Sequence, residues 1–152
     1  MYDELNKLIN KYDRIIIHRH KNPDGDAYGS QLGLKRLIEL NYLDKEVYAV
    51  GDVNVFSFLG DMDTIPDSYY DNSLAIIVDV CVTRLISDDR YKLAKEVLVI
   101  DHHLNQPDFE CIAFIESNHI ACAELIASIF IEQNYIFDEI AATSFLTGIV
   151  TD

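Results

Sequence analysis

The chain has 152 residues, of which 49% are hydrophobic and 25% charged; this suffices for one domain with a real core and is too apolar for disorder. Its formal net charge of −14 argues against nonspecific binding to nucleic acid or acidic membrane, which needs clustered Lys and Arg. No apolar run reaches membrane-spanning length, the N-terminus is too acidic for a secretory signal, and Cys81, Cys111 and Cys122 form no C-x-x-C pair, so the reading is a soluble, cytoplasmic protein with buried thiols.

Leu5, Leu8, Ile9 and Tyr12 recur at helical spacing and predict an amphipathic helix over residues 1–12, broken at Asp13. Arg14 to His18 is β-branched without alternation, as in a strand covered on both faces. A loop with Pro23 and Gly25 follows, holding Asp24 and Asp26, and a helix then runs to about Leu40 with Asp26 as its expected N-cap. Gly29 and Gly33 weaken that helix, which fits a close approach to the sheet or to a ligand.

Glu46 to Val50 reads as a second strand, Asn54 to Leu59 as a short helix, and Asp61 to Asn72 as a polar loop. Leu74 to Val78 is a third strand ending on Asp79. Arg84 to Leu93 is irregular or briefly helical, and Val97 to Ile100 is a fourth strand ending on Asp101-His102-His103. Cys111 to Ile115 fits an edge strand, Ala121 to Ile131 a helix, and Asp138 begins a last helix through Leu146. Strands alternating with helical patterns give an α/β fold with a mostly parallel sheet flanked by helices.

Ligands of such sheets gather beyond the C-terminal strand ends. Three apolar strands here finish in Asp or His, and the candidates at those ends and at the chain end are His20, Asp24, Asp26, Asp79, His102 and Asp152. Four carboxylates brought together need protons or cations to compensate them. Oxygen-rich ligands with some imidazole suit Mn²⁺ or Mg²⁺ better than structural Zn²⁺. The ligands exceed the needs of one ion and fit two, about 3.5–4 Å apart, sharing a carboxylate and holding a hydroxide for attack on phosphate. Bound cations also reconcile the acidic chain with a phosphate substrate. His18 reads as structural or as support behind the ligands, and His119 as a solvated or capping residue.

The same residues resemble a known family. His20 to Ser30 resembles the first motif of the DHH phosphoesterases, Asp79 with Arg84 the second, Val99 to His103 the Asp-His-His motif, and Gly148 to Asp152 the start of the fourth. The resemblance implies a Rossmann-like DHH domain in which His20, Asp24 and Asp79 hold one ion. Asp26, Asp79, His102 and Asp152 would hold the other, with Asp79 as the bridge. It also implies that His103 faces the substrate phosphate, that Asp101 orients the loop or a ligand, and that Arg84 sits near the phosphate.

The Pro-Asp-Gly-Asp-Ala variant is similar to the branch that degrades very short oligoribonucleotides and dephosphorylates 3′-phosphoadenosine 5′-phosphate; family II pyrophosphatases share the ligand set. The expected activity is therefore a metal-dependent phosphoesterase on short oligonucleotides or small nucleotides. The alternatives are a pyrophosphatase, or a metal-binding domain without turnover. Family members are about twice this long, so the resemblance implies that residues 1–152 are a truncated DHH catalytic domain without its C-terminal DHH-associated substrate-binding domain. A homodimer through an exposed helix or edge strand is compatible with the pattern, although no segment singles itself out.

Overall fold

The computed structural model describes residues 2–152. In order, the elements are α1 (Tyr2–Lys11), β1 (Arg14–His18), α2 (Gly25–Asn41), β2 (Glu46–Ala49), β3 (Leu74–Val78), β4 (Glu96–Asp101), β5 (Ile112–Ile115), α3 (Cys122–Glu132) and α4 (Glu139–Thr151). Short 3-10 turns at Val55–Leu59, Asp67–Tyr70, Thr83–Leu85 and Asp89–Leu93 fill the connections after β2 and β3. The strands form one sheet in the order β2-β1-β3-β4-β5, with every pairing parallel.

Alternate strand residues explain why the apolar runs carry no polar positions. Ile15, Ile17, Leu74, Ile76, Leu98 and Ile100 join residues of all four helices in one buried cluster. Ile16 packs with Val50, Ile65 and Tyr70, while Ala75, Ile77 and Val99 pack with Cys81, Ile86 and Tyr91. Both faces are therefore dry, one under helices and the other under 3-10 turns and loops, which is the environment that selects continuous Ile, Leu and Val. Among the described residues no helix is long and apolar enough to cross a membrane.

The strand order reverses between β1 and β3, which makes a crevice where the loops leaving the two strands diverge. Helix α2 begins at that crevice. Its N-cap is Asp24, whose carboxylate accepts from the Ala27 amide at 2.9 Å; Asp26, the expected cap, lies in the first helical turn. The carboxylate of Asp26 is spent elsewhere, as described below. Helix α4 extends past Leu146 to Thr151, bringing Asp152 to the same crevice.

Gly29 serves a close helix crossing rather than contact with the sheet. A Cβ there would stand 2.3 Å from the Ser144 carbonyl of α4, and one at Gly148 would stand 2.6 Å from Ala123 Cβ and 3.1 Å from Asp26 Oδ1. Small residues at this crossing let α4 carry Asp152 up to Asp26.

Candidate metal centre

The histidines and carboxylates reach the crevice by different routes. His20 follows β1, Asp24 and Asp26 open α2, Asp79 follows β3, His102 follows β4, and Asp152 ends α4. Asp79 is 3% exposed and takes a left-handed backbone, φ 60°, while its amide donates to the Ile100 carbonyl at 3.0 Å. That conformation is uncommon for a residue with a side chain, and Asp and Asn tolerate it best. It turns the carboxylate out of the strand path and between two imidazoles.

His20 Nε2 lies 3.5 Å from Asp79 Oδ2 and 3.7 Å from Asp24 Oδ1. On the other side, His102 Nε2 lies 3.5 Å from Asp79 Oδ1, 3.5 Å from Asp26 Oδ2 and 3.7 Å from Asp152 Oδ2. The six candidate ligands thus fall into two adjoining groups, His20, Asp24 and Asp79 in one and Asp26, His102 and Asp152 in the other, with Asp79 also beside His102 and His103. Two further atoms complete the picture: His103 Nδ1 is 2.7 Å from Asp101 Oδ1 and 3.8 Å from Asp79 Oδ1.

The other ring nitrogens decide what the Nε2 atoms offer. His20 Nδ1 lies 2.8 Å from the Lys21 carbonyl, and His102 Nδ1 lies 3.2 Å from the His119 carbonyl. A carbonyl only accepts, so each Nδ1 carries the proton and each Nε2 of a neutral ring points its lone pair at carboxylates. Such contacts are favourable only with a cation between the partners. Asp79 Oδ1 and His102 Nε2 are also buried without a hydrogen-bond partner. Adjacent ligands of an octahedral ion at about 2.1 Å stand about 3 Å apart, and opposite ones about 4 Å. Spacings of 3.5–3.7 Å and the mixed carboxylate and imidazole donors fit divalent cations.

Without ions, protons take their place. Burial opposes charge on His20, but Asp24, Asp79 and the Lys21 carbonyl outweigh it and push its pKa up to about 10. Asp79 is the main cause that lifts His102 to about 9, against burial and with help from the His119 carbonyl. His20 in turn holds Asp24 down at about 2. Burial, followed by the charge of Asp79, raises Asp26 to about 7 in spite of the amides it accepts from. The cluster attracts positive charge in whatever form is available.

Asp26 is fully buried, and it accepts from the Cys122 amide through Oδ2 at 2.8 Å and from the Ala123 amide through Oδ1 at 2.8 Å. These are free amides at the start of α3, whose own N-cap position, Ala121, has no capping side chain. One carboxylate thus serves as a candidate ligand and as a cap for a helix nearly a hundred residues away, a role that no local pattern reveals.

Support beneath His20 also escaped the sequence. Arg19 is fully buried. Its Nη1 donates to the His20 carbonyl at 3.1 Å and to Asp52 Oδ1 at 3.0 Å, its Nε donates to Gln31 Oε1 at 3.0 Å, and it stacks on Tyr28. Asp52 Oδ2 accepts the Asn22 amide at 2.9 Å, so the loop is clamped from below. The available signal was Arg19 and Gln31 standing among residues that otherwise read as core. His18 is structural as expected: it is fully buried between the Asp88 carbonyl and the Tyr70 hydroxyl. His119 contributes its carbonyl to His102 and leaves its ring beside Glu124 at 3.5 Å.

A cavity of about 230 Å³ opens on the cluster, reached by His20, Asp24, Asp79, Asp101 and His103, with Val80, Cys81, Val82 and Leu85 as an apolar wall. Arg84 is exposed and does not line it; its charge acts on Asp108 instead. Lys21 does line it.

Residues 14–149 match the DHH family, N-terminal domain. This chain belongs to the DHH family. It is 33% identical over 156 residues to the bifunctional oligoribonuclease and PAP phosphatase NrnA of Bacillus subtilis, covering all of this chain and 50% of that relative. An exopolyphosphatase-related protein from Bacteroides fragilis superposes with a TM-score of 0.82 at 24% identity, over 98% of this chain and 48% of that one. Exonuclease RecJ bound to manganese shares the fold with a TM-score of 0.53 at 15% identity, over 95% of this chain and 41% of RecJ. The DHH chain described here spans about half the length of the curated relatives it matches. The aspartate and two histidines of the family's name are Asp101, His102 and His103.

Proposed function

We propose that this DHH domain hydrolyses phosphoesters of short oligoribonucleotides or small nucleotides such as 3′-phosphoadenosine 5′-phosphate. The observation that carries the proposal is Asp79, buried with one oxygen toward His20 and the other toward His102. His20, Asp24 and Asp79 would hold one Mn²⁺; Asp26, Asp79, His102 and Asp152 would hold a second, with Mg²⁺ as the substitute. Manganese in the RecJ neighbour and the oxygen-rich donor set support that choice. Ions so held would make water nucleophilic at neutral pH and offset the charge that builds on phosphate.

The chain's own residues do the rest. Asp79 fixes the spacing between the two ligand groups. Asp101 accepts from His103 Nδ1 and so fixes the ring; in its doubly protonated form that ring also has an Nε2 proton to donate to a phosphate oxygen as charge builds on it. The wall of Val80, Cys81, Val82 and Leu85 offers an apolar surface to a ribose or base, a surface that inorganic pyrophosphate has no use for. We take residues 1–152 as the catalytic domain of a cytoplasmic enzyme, sharing substrate choice with a C-terminal domain.

The test is hydrolysis of a 5′-phosphorylated diadenylate, of 3′-phosphoadenosine 5′-phosphate and of pyrophosphate, with and without Mn²⁺, by wild-type protein and Asp79→Asn. Mn²⁺-dependent turnover of the nucleotides, lost in the variant, supports the proposal. Turnover of pyrophosphate alone makes the protein a pyrophosphatase, and metal uptake with no turnover makes it a binding domain; either result overturns the reading.

A further inference from the structure

The cavity beside the ligand cluster has a polar rim opposite in character to its apolar wall, made of Lys21 and Asn105. Lys21 is the one lysine or arginine among the described residues that line it. Its main chain is held firmly. The Lys21 amide donates to the Leu85 carbonyl at 2.8 Å, His20 pairs with Ile86 in an antiparallel bridge, and the Ser87 amide donates to the Arg19 carbonyl at 3.0 Å. On the other side, Asp52 grips the neighbouring Asn22 amide at 2.9 Å.

The side chain of Lys21 is nonetheless exposed. Among the described residues it makes no ion pair, a state it shares with Lys7, Arg84, Lys92 and Lys95, but it alone of these lines this cavity. A chain of net charge −14 offers many internal partners. An ammonium that takes none of them, carried on a firmly held main chain at the edge of this cavity, is available to an anion from outside.

We propose that Lys21 binds the phosphate of the substrate that is not cut, giving this site a preference for nucleotides that carry a second phosphate. The inference rests on the phosphoesterase reading above. The scissile phosphate belongs at the ligand cluster, the nucleoside lies against Val80, Val82 and Leu85, and the remaining phosphate meets the Lys21 ammonium, with the Asn105 amide as a further donor. An ammonium is a compact charge without directional demands, so it accepts the second phosphate of a nucleoside 3′,5′-bisphosphate or of a 5′-phosphorylated dinucleotide. Arg84, outside the cavity, is not needed for this contact.

The experiment compares binding of adenosine 3′,5′-bisphosphate and adenosine 3′-monophosphate to the Mn²⁺-loaded protein, read as KM where the nucleotide turns over and as Kd where it does not, for wild type, Lys21→Met and Lys21→Arg. Wild type binds the bisphosphate at least about tenfold tighter, Lys21→Met loses most of that ratio, and Lys21→Arg recovers part of it. The wild-type preference also shrinks as salt is raised, more steeply than in Lys21→Met. Mn²⁺ titration of each variant establishes that the ligand cluster is intact. No wild-type preference, or a preference that survives in Lys21→Met, overturns the proposal. Binding that follows the expected ratios without hydrolysis of either nucleotide sinks the phosphoesterase reading and leaves the role of Lys21 standing.

Discussion

The amide of Cys122 donates to Asp26 Oδ2 at 2.8 Å across 96 positions of the chain. This bond ties the first turn of α2 to the first turn of α3, directly beneath the ligand cluster. It explains why a carboxylate that is fully buried remains tolerable there: two helix amides and the Ser30 hydroxyl hold it. The centre is therefore also a joint of the fold, and perturbing it has consequences for stability as well as chemistry.

Asp79→Asn is the cleanest test of the shared ligand. Asn accepts a φ of 60° as readily as Asp does, so the change removes charge without adding backbone strain. Expected are loss of high-affinity Mn²⁺ binding at both positions and a fall in hydrolysis of at least ~10²–10³-fold. His20→Ala and His102→Ala should each remove one ion and leave the other. Calorimetric stoichiometry distinguishes the three variants; equal loss in all three would contradict a shared carboxylate between two separate positions.

In the metal-free protein, stability falls as pH rises above about 6.5; below that, His18, lowered by burial to about 4, gains stability with rising pH and opposes Asp26. Asp26 is raised to about 7 in the fold, so its contribution is present at low pH and is lost between the unfolded value near 3.8 and pH 7. His102 and His20 are raised to about 9 and about 10, so theirs is complete below pH 6.5 and is lost as pH climbs through those values. Melting temperatures taken with chelator should decline from pH 6.5 to pH 10. Saturating Mn²⁺ should flatten or reverse the decline above pH 7, since the ions replace the protons. A metal-free protein that melts higher at pH 9 than at pH 6 would refute this account of the cluster.

Asp101→Asn should separate orientation from metal binding. Asp101 Oδ1 accepts from the His102 and His103 amides at 2.8 and 3.2 Å and from His103 Nδ1 at 2.7 Å. Weakening that grip loosens His103 and spares the ions. Turnover is expected to fall about 10–100-fold, with the loss in kcat and with Mn²⁺ stoichiometry kept. A loss of bound metal instead would place Asp101 among the ligands.

Gly29→Ala tests the crossing that delivers Asp152. The new methyl would meet the Ser144 carbonyl at 2.3 Å, and this partner is backbone and cannot step aside by a rotamer change. The variant should lose about 2–3 kcal/mol in urea unfolding, as expected for overpacking at a fixed contact. Separation of α2 from α4 should also weaken binding at the ion position that uses Asp152, more than at the one that uses Asp24.

Much of this architecture is written in local order. The apolar runs Ile15 to Ile17, Leu74 to Val78 and Val97 to Ile100 are strands because they suit a sheet covered on both faces. Parallel strands place their C-terminal ends on one edge, so Asp79 and His102 had to be neighbours once those strands paired side by side. The edge of the sheet at which the candidate ligands gather follows from that pairing.

Tertiary packing decided the rest. Asp24 rather than Asp26 caps α2, because Asp26 is claimed by the α3 amides. Arg84 lies near Asp108 and outside the cavity, while its neighbour Leu85 and Lys21 line it, the Lys21 amide bonded to the Leu85 carbonyl. The proton positions on His20 and His102 depend on carbonyls of Lys21 and His119. Periodicity encodes which face of an element is buried; which polar atom meets which across a hundred residues depends on how whole elements pack, and no spacing in the chain carries that information.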